Sequence, residues 1–139
     1  MTQISAYLHF KGNCREAMTF YKECLGGELS MQAIGEMAGG DNAPVEMQKN
    51  IVHAYLAKGS MVLQGSDMAG PEGLIKGNTV SLALDCESEE EIQTFFTNLS
   101  AGGQVGDPLH IEFWGGTFGT LTDKYGHDWM LNYSKPTQA

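Results

Sequence analysis

Three stretches of this sequence carry the residue types that do chemistry. The first, HIEFWGGTFGTLTDKYGHDW, spans residues 110–129 and sets His110 and Glu112 two positions apart. On a strand that spacing puts both on one face, where imidazole and carboxylate could share a proton or hold a metal; a solvated strand face is the plainer alternative. The second is His53 in IVHAYLA, either a pocket acid/base or a hydrogen-bonded strand histidine. The third is SMVLQGSD, with Gln64 and then Asp67 at its end; Glu36 ends ELSMQAIGE in the same way. Such carboxylates either cap turns or position a polar ligand. The catalytic candidates are thus His53, Asp67, His110 and Glu112, with Gln64 beside them.

Other chemistries are disfavoured. WGGTFG neither follows a strand nor opens a helix, so it is not a dinucleotide or phosphate loop. No G-x-S-x-G elbow is present. Cys86 stands just before an expected helix N-terminus, which could lower its pKa, against the alternative of a structural thiol. Cys14, Cys24 and Cys86 are odd in number and form no C-x-x-C, which suits reduced thiols in a cytoplasm. The net charge of −9 (8 basic, 17 acidic residues) and the lack of any Lys/Arg cluster argue against nucleic acid and anionic membrane as partners. No apolar run approaches the ~18 residues of a membrane span. MTQISAYLHF lacks the basic and apolar regions of a signal peptide.

The elements that must position these residues occur twice. Residues 4–10 are β-prone; Asn13 to Glu16 approximates a capping box, and Ala17, Phe20, Tyr21 and Cys24/Leu25 form one helical face ended by Gly26-Gly27. A strand at 28–35, a loop at 36–49 and a hairpin turned at Lys58-Gly59 follow. The plan then repeats: a strand at 79–86, a capping box Ser88 to Glu91, a helix with Ile92, Phe95, Phe96 and Leu99 on one face, Gly102-Gly103, and strands near 104–112, 116–123 and 128–133. The chain therefore reads β-α-β-β-β twice, an α+β duplication with helices outside a curved, cleft-lining mixed sheet.

FKGNCREAMTFYKECLGGEL at the front and FWGGTFGTLTDKYGHDWMLN at the back give this repeat a resemblance to the vicinal oxygen chelate (glyoxalase/bleomycin resistance/dioxygenase) superfamily, and within it to the PhnB-like branch. The resemblance spans about residues 3–134. It implies a single domain over 1–139, with units at about 3–67 and 78–134 and a linker at 68–77, paired as a homodimer. In metal-using members it implies four ligands on the concave face, which fall here at Ala6, at Leu63 or Gln64, at Thr79 and at Met130. Catalytic divalent ions want imidazole and carboxylate. Only Gln64 could offer an oxygen, so no metal or other cofactor is expected, with a divalent ion at a rearranged site left open. Members of the branch carry a ubiquinone-related methyltransferase name, yet this sequence has no strand-turn-helix glycine motif for S-adenosylmethionine.

Counting ligand positions this way turns Ala6, Leu8 and Phe10 toward the cleft and Tyr7 and His9 toward the helix layer. It gives a cleft lined by Phe10, Leu63, Gln64, Ser81, Trp114, Met130 and Asn132, with Glu36 at its mouth, and turns Trp129 into the core. The expected function is metal-independent binding of a small, partly apolar molecule, as on the bleomycin-binding side of the superfamily. The alternative is a lyase, isomerase or dioxygenase using a rearranged site.

Overall fold

Both helices form where apolar residues recur at helical spacing, and glycines with positive φ end the first. The chain runs β1 (Ala6–His9), α1 (Cys14–Leu25), β2 (Glu28–Ala33), β3 (Ile51–Lys58) and β4 (Met61–Ser66), then β5 (Leu82–Asp85), α2 (Glu89–Ser100), β6 (Gln104–Ile111), β7 (Thr117–Thr122) and β8 (Asp128–Tyr133). These come from a computed structural model that describes residues 2–68 and 72–135; part of the expected linker, 69–71, lies outside them. Single 3-10 turns at Gly40–Asn42 and Val45–Met47 fall in the connection expected to be a loop, and one at Ile34–Glu36 ends β2 two residues short of the expected 35. β5 is shorter than the expected 79–86, which leaves Thr79 outside the strand and Val80 76% exposed.

The chain divides into two compact units between Lys76 and Gly77. In the first the strand order is β1-β4-β3-β2, and in the second β5-β8-β7-β6. In each, the first strand pairs parallel with the last and the other pairings are antiparallel. Two four-stranded mixed sheets, each carrying one long helix, make this the α+β architecture that the resemblance implies.

In the first unit α1 buries Cys14, Ala17, Met18, Tyr21, Cys24 and Leu25. They meet a sheet face carrying Leu8, Ala54, Leu56 and Leu63, all buried. Each fully buried side chain of that size contributes about 1.5–3 kcal/mol. Gly65 lets the helix come close: a Cβ there would stand 3.0 Å from the Phe10 ring and 3.3 Å from Met18 Sδ. In the second unit α2 buries Ile92, Phe96 and Leu99 above Leu121, Trp129 and Leu131.

The two helices start differently. Ser88 Oγ accepts the Glu91 N–H at 3.0 Å, a local N-cap. The Glu91 carboxylate accepts the Glu87 N–H rather than that of Ser88, so the expected capping box closes one residue early. At α1 the expected Asn13 cap does not form; the Asn13 side chain accepts from Lys11 N instead. The acceptor at that helix start is Asp67, from 53 residues away.

Candidate functional site

The face of the first sheet opposite α1 carries the densest set of functional side chains in that unit. Strand alternation sends Tyr7 and His9 of β1, His53 and Tyr55 of β3 and Gln64 of β4 to this face. Tyr7 and Tyr55 both pair with Gln64, so the three form one row across β1, β4 and β3. His53 Nε2 lies 2.8 Å from Gln64 Oε1, and Gln64 Nε2 donates to Ser5 Oγ at 2.8 Å. Tyr7 stacks on His53 with centroids 5.9 Å apart; Tyr55 lies 6.3 Å from His53 and His9 lies 5.3 Å from Tyr7. Tyr7 and Tyr55 are 42% and 37% exposed.

This arrangement corrects the expected facing of β1. Leu8 and Phe10, at 8% and 3% exposure, lie in the core with α1, and Tyr7 and His9 turn outward. Leu63, at 4%, is on the core side as well, so Gln64 is the open-face residue of β4. Phe10 and Leu63 are core residues here and not lining residues of an open face. The reason is register: a one-residue slip on a strand exchanges its faces.

Asp67 is spent on backbone. Its Oδ1 accepts the N–H groups of Gly12 at 2.8 Å and Cys14 at 3.0 Å, and its Oδ2 accepts Ile51 N–H at 2.8 Å. One buried carboxylate thus ties the start of α1 to the start of β3. Glu36 caps its own turn by accepting the Ala33 N–H at 3.1 Å.

On the second sheet, Met130 and Asn132 share the face opposite α2 with Ala83, Asp85, Phe118 and Thr120, as the pairs Ala83↔Met130 and Phe118↔Asn132 require, while Ser81 stands just before β5, outside the strand. Asn132 Nδ2 donates weakly to Asp85 Oδ1 at 3.4 Å. His110 and Glu112 do come together: His110 Nε2 lies 2.9 Å from Glu112 Oε1, and Nδ1 lies 2.8 Å from the Pro108 carbonyl. Asp107 Oδ1 is 3.6 Å from Nδ1. The Pro108 carbonyl first, and then the Glu112 carboxylate, push the His110 pKa above its ordinary value. With both ring nitrogens facing acceptors, the imidazolium is the form that satisfies them. Trp114 is 47% exposed, and its ring lies over Gly116 in the turn closed by Glu112 N–H to Gly116 O.

The rest of residues 110–129 is a structural clamp. Asp123 Oδ1 accepts the N–H groups of Tyr125 and His127, and Oδ2 accepts the Trp129 indole N–H at 2.8 Å. Gly126 closes that turn at φ +90°. Trp129 is buried at 3%, as its alternation with Met130 predicts. Burial first, then the Glu91 and Asp85 charges, push the Cys86 pKa up to about 12, the opposite of the lowering that its place before α2 could give.

A family model described as 3-demethylubiquinone-9 3-methyltransferase matches residues 2–132. The chain belongs to that family. It is 35% identical to protein YjdN of Escherichia coli (strain K12), over 97% of this chain and 99% of that one. Among solved structures it is similar to protein PA1353 of Pseudomonas aeruginosa (39% identity, TM-score 0.82, 96% and 98% of the two chains). It is also similar to a putative 3-demethylubiquinone-9 3-methyltransferase, PhnB protein, of Bacillus cereus (27% identity, TM-score 0.74, 96% and 100% of the two chains). The fold recurs in a glyoxalase-related enzyme of Fulvimarina pelagi and in the fosfomycin resistance protein FosX of Listeria monocytogenes, with TM-scores of 0.61 and 0.64. At 20% and 13% identity these last two carry the fold alone. This PhnB-like member therefore shares the fold seen in the glyoxalase/bleomycin resistance/dioxygenase superfamily.

Metal-using relatives in that superfamily imply a divalent ion, and the donor set of this family member does not fit one. Among the described residues no group of three or more His, Cys, Asp or Glu side chains is placed to hold a metal. The open-face residues of β1 and β4 are Tyr7, His9 and Gln64, where catalytic sites want imidazole and carboxylate together. Tyr7, His9 and Tyr55 are the site residues that sequence reasoning missed. The available signal was their type: aromatic rings with polar tips alternating with plain hydrocarbon side chains in AYLHF and IVHAYLA.

Proposed function

We propose that this chain is a small-molecule-binding protein of the glyoxalase/bleomycin resistance type that holds its ligand without a metal. The observation carrying this reading is the set of rings on the first sheet, Tyr7, His9, His53 and Tyr55, gathered around a Gln64 held between His53 and Ser5. A binding surface for a partly apolar molecule needs apolar area with a few convergent polar groups, and this face supplies both. Ser81, Met130, Asn132 and Trp114 are proposed as ligand-binding residues of the second unit, considered by itself. Homodimer formation in the cytoplasm completes the proposal, supported by the superfamily's habit of pairing and by three free cysteines. A light-scattering mass near one chain, 15.1 kDa, would overturn the dimer.

Methyl transfer is not carried over from the family's description. It needs an S-adenosylmethionine site, and the turn from β1 into α1, Lys11-Gly12-Asn13, has no glycine-rich pattern for one. An enzyme of the lyase, isomerase or dioxygenase kind is the second reading, favoured by one observation: His53 and Gln64 converge within 2.8 Å on an exposed face.

The experiment is a thermal-melt series of EDTA-stripped protein against Ni²⁺, Co²⁺, Fe²⁺, Zn²⁺ and Mn²⁺, followed by native mass spectrometry. The expected result is a flat series and a co-purified small molecule. An ion at 100 times its dissociation constant would stabilise the fold by about 2.7 kcal/mol. A selective shift of that size would overturn metal-free binding.

A further inference from the structure

We propose that the open face of the first sheet selects a planar aromatic or heteroaromatic ligand that donates an N–H or O–H to Nδ1 of His53. This deepens the binding reading above and rests on it.

The argument starts with Gln64. Its amide nitrogen donates to Ser5 Oγ at 2.8 Å, which turns its amide oxygen toward His53 Nε2 at 2.8 Å. An amide oxygen has no proton to give, so His53 Nε2 carries one. Neutral imidazole has a single N–H, which leaves Nδ1 as an acceptor. Among the described residues, the one hydrogen bond of the His53 ring is this bond through Nε2. The Gln64 amide oxygen thus sets the tautomer of His53 and leaves Nδ1 as an acceptor on an exposed side chain.

The rings decide the shape of what meets that lone pair. Tyr7 lies nearly parallel to His53, at 28°, and Tyr55 lies tilted to it at 45°. His9 extends the array beyond Tyr7 at 41°. Offset and tilted rings of this kind pack best against another flat ring. Ser5, Tyr7, His9, His53, Tyr55 and Gln64 include no carboxylate, ammonium or guanidinium; Glu28 shares the face on edge strand β2, opposite Ala57, so it is the ring cluster itself that selects without formal charge. The ligand chemistry that matches is a neutral ring with a donor on its edge.

The test uses the full chain and three probes: indole, 1-methylindole and tetramethylammonium. A long-range ¹H–¹⁵N NMR spectrum reads the His53 tautomer, and chemical-shift titrations read each probe. The expected result is a proton on Nε2, indole shifts at Tyr7, His53 and Tyr55, and indole binding roughly 3- to 10-fold tighter than 1-methylindole, the effect of one net hydrogen bond. His53→Phe should abolish that preference while keeping 1-methylindole binding. If this variant does not fold, Gln64→Leu reads the same point, because it frees the tautomer and shrinks the preference. A proton on Nδ1, or equal affinity for the two indoles, overturns the donor requirement. Tetramethylammonium binding at these residues in place of indole overturns the ligand class and leaves the binding face standing. Shifts at none of these residues with any probe overturn the binding face itself.

Discussion

The two units share one architecture and present different chemistry. Opposite its helix, the first sheet offers Tyr7, His9, His53, Tyr55 and Gln64; the second offers Ala83, Phe118, Thr120, Met130 and Asn132, with His110 on its edge strand. The first face is aromatic and hydrogen-bonded through Gln64. The second is a mix of small, apolar and amide side chains with the Asp85 carboxylate. Behind the faces, each unit sets a carboxylate at a strand end to gather backbone N–H groups, Asp67 at the start of α1 and Asp123 in the β7–β8 turn. Duplication kept the framework, while the faces diverged. The proposed ligand discrimination belongs to the first unit, and the second is the reference against which it is judged.

The sharpest way to break this comparison is at the helix starts. Asp67→Ala removes the acceptor of three backbone N–H groups. At about 1–3 kcal/mol for each buried donor left unsatisfied, the expected loss is about 4 kcal/mol in urea unfolding. Ser88→Ala, the counterpart at α2, should cost only about 1 kcal/mol. A smaller loss at Asp67 than at Ser88 would end the claim that α1 is capped from a distance.

Next is the facing of β1. Phe10→Ala should cost about 3 kcal/mol, as for other buried aromatic truncations. Tyr55→Ser, on the outer face, should stay within about 0.5 kcal/mol of the parent protein and weaken indole binding. Equal stability losses for the two would mean that the faces of the first sheet are reversed.

The smallest effect is a pH dependence confined to the second unit. The His110 pKa is raised above its ordinary 6.5 by the Pro108 carbonyl and by Glu112. A raised histidine stabilises the fold at pH values below its unfolded pKa, and the contribution is lost as pH rises through the folded value. NMR titration should show His110 protonating above the ordinary value, and Glu112→Gln should lower it. A His110 that titrates at or below 6.5 would show that the Glu112 contact does not form in solution.

Much of the framework is legible in the sequence. The duplicated β-α-β-β-β order, both helices and the β3–β4 hairpin follow from periodicity and glycine punctuation, which are local, although the turn itself is Gly59-Ser60, one residue past the expected Lys58-Gly59. The Asp123-to-Gly126 turn and the inward Trp129 are legible for the same reason, since their hydrogen bonds span at most 6 residues. The candidate site is less legible. Gln64 and His53 stand out by type, but β1 has four residues and apolar or aromatic side chains on both faces, so alternation alone does not say which is which. Counting ligand positions back from the helix motif chooses the wrong one, through a slip of one residue.

What the sequence by itself determined is therefore the order of elements, the repeat, the family and the turn clamp of the second unit. Only the tertiary structure decided that Asp67 serves α1 and β3, that Tyr7 and His9 face outward, and that Ser5, Gln64 and His53 form one hydrogen-bonded line. The reason is range. Asp67 reaches 53 residues to Cys14 and Gln64 reaches 59 to Ser5. Such partners are chosen by strand pairing and register, which no window of local sequence contains.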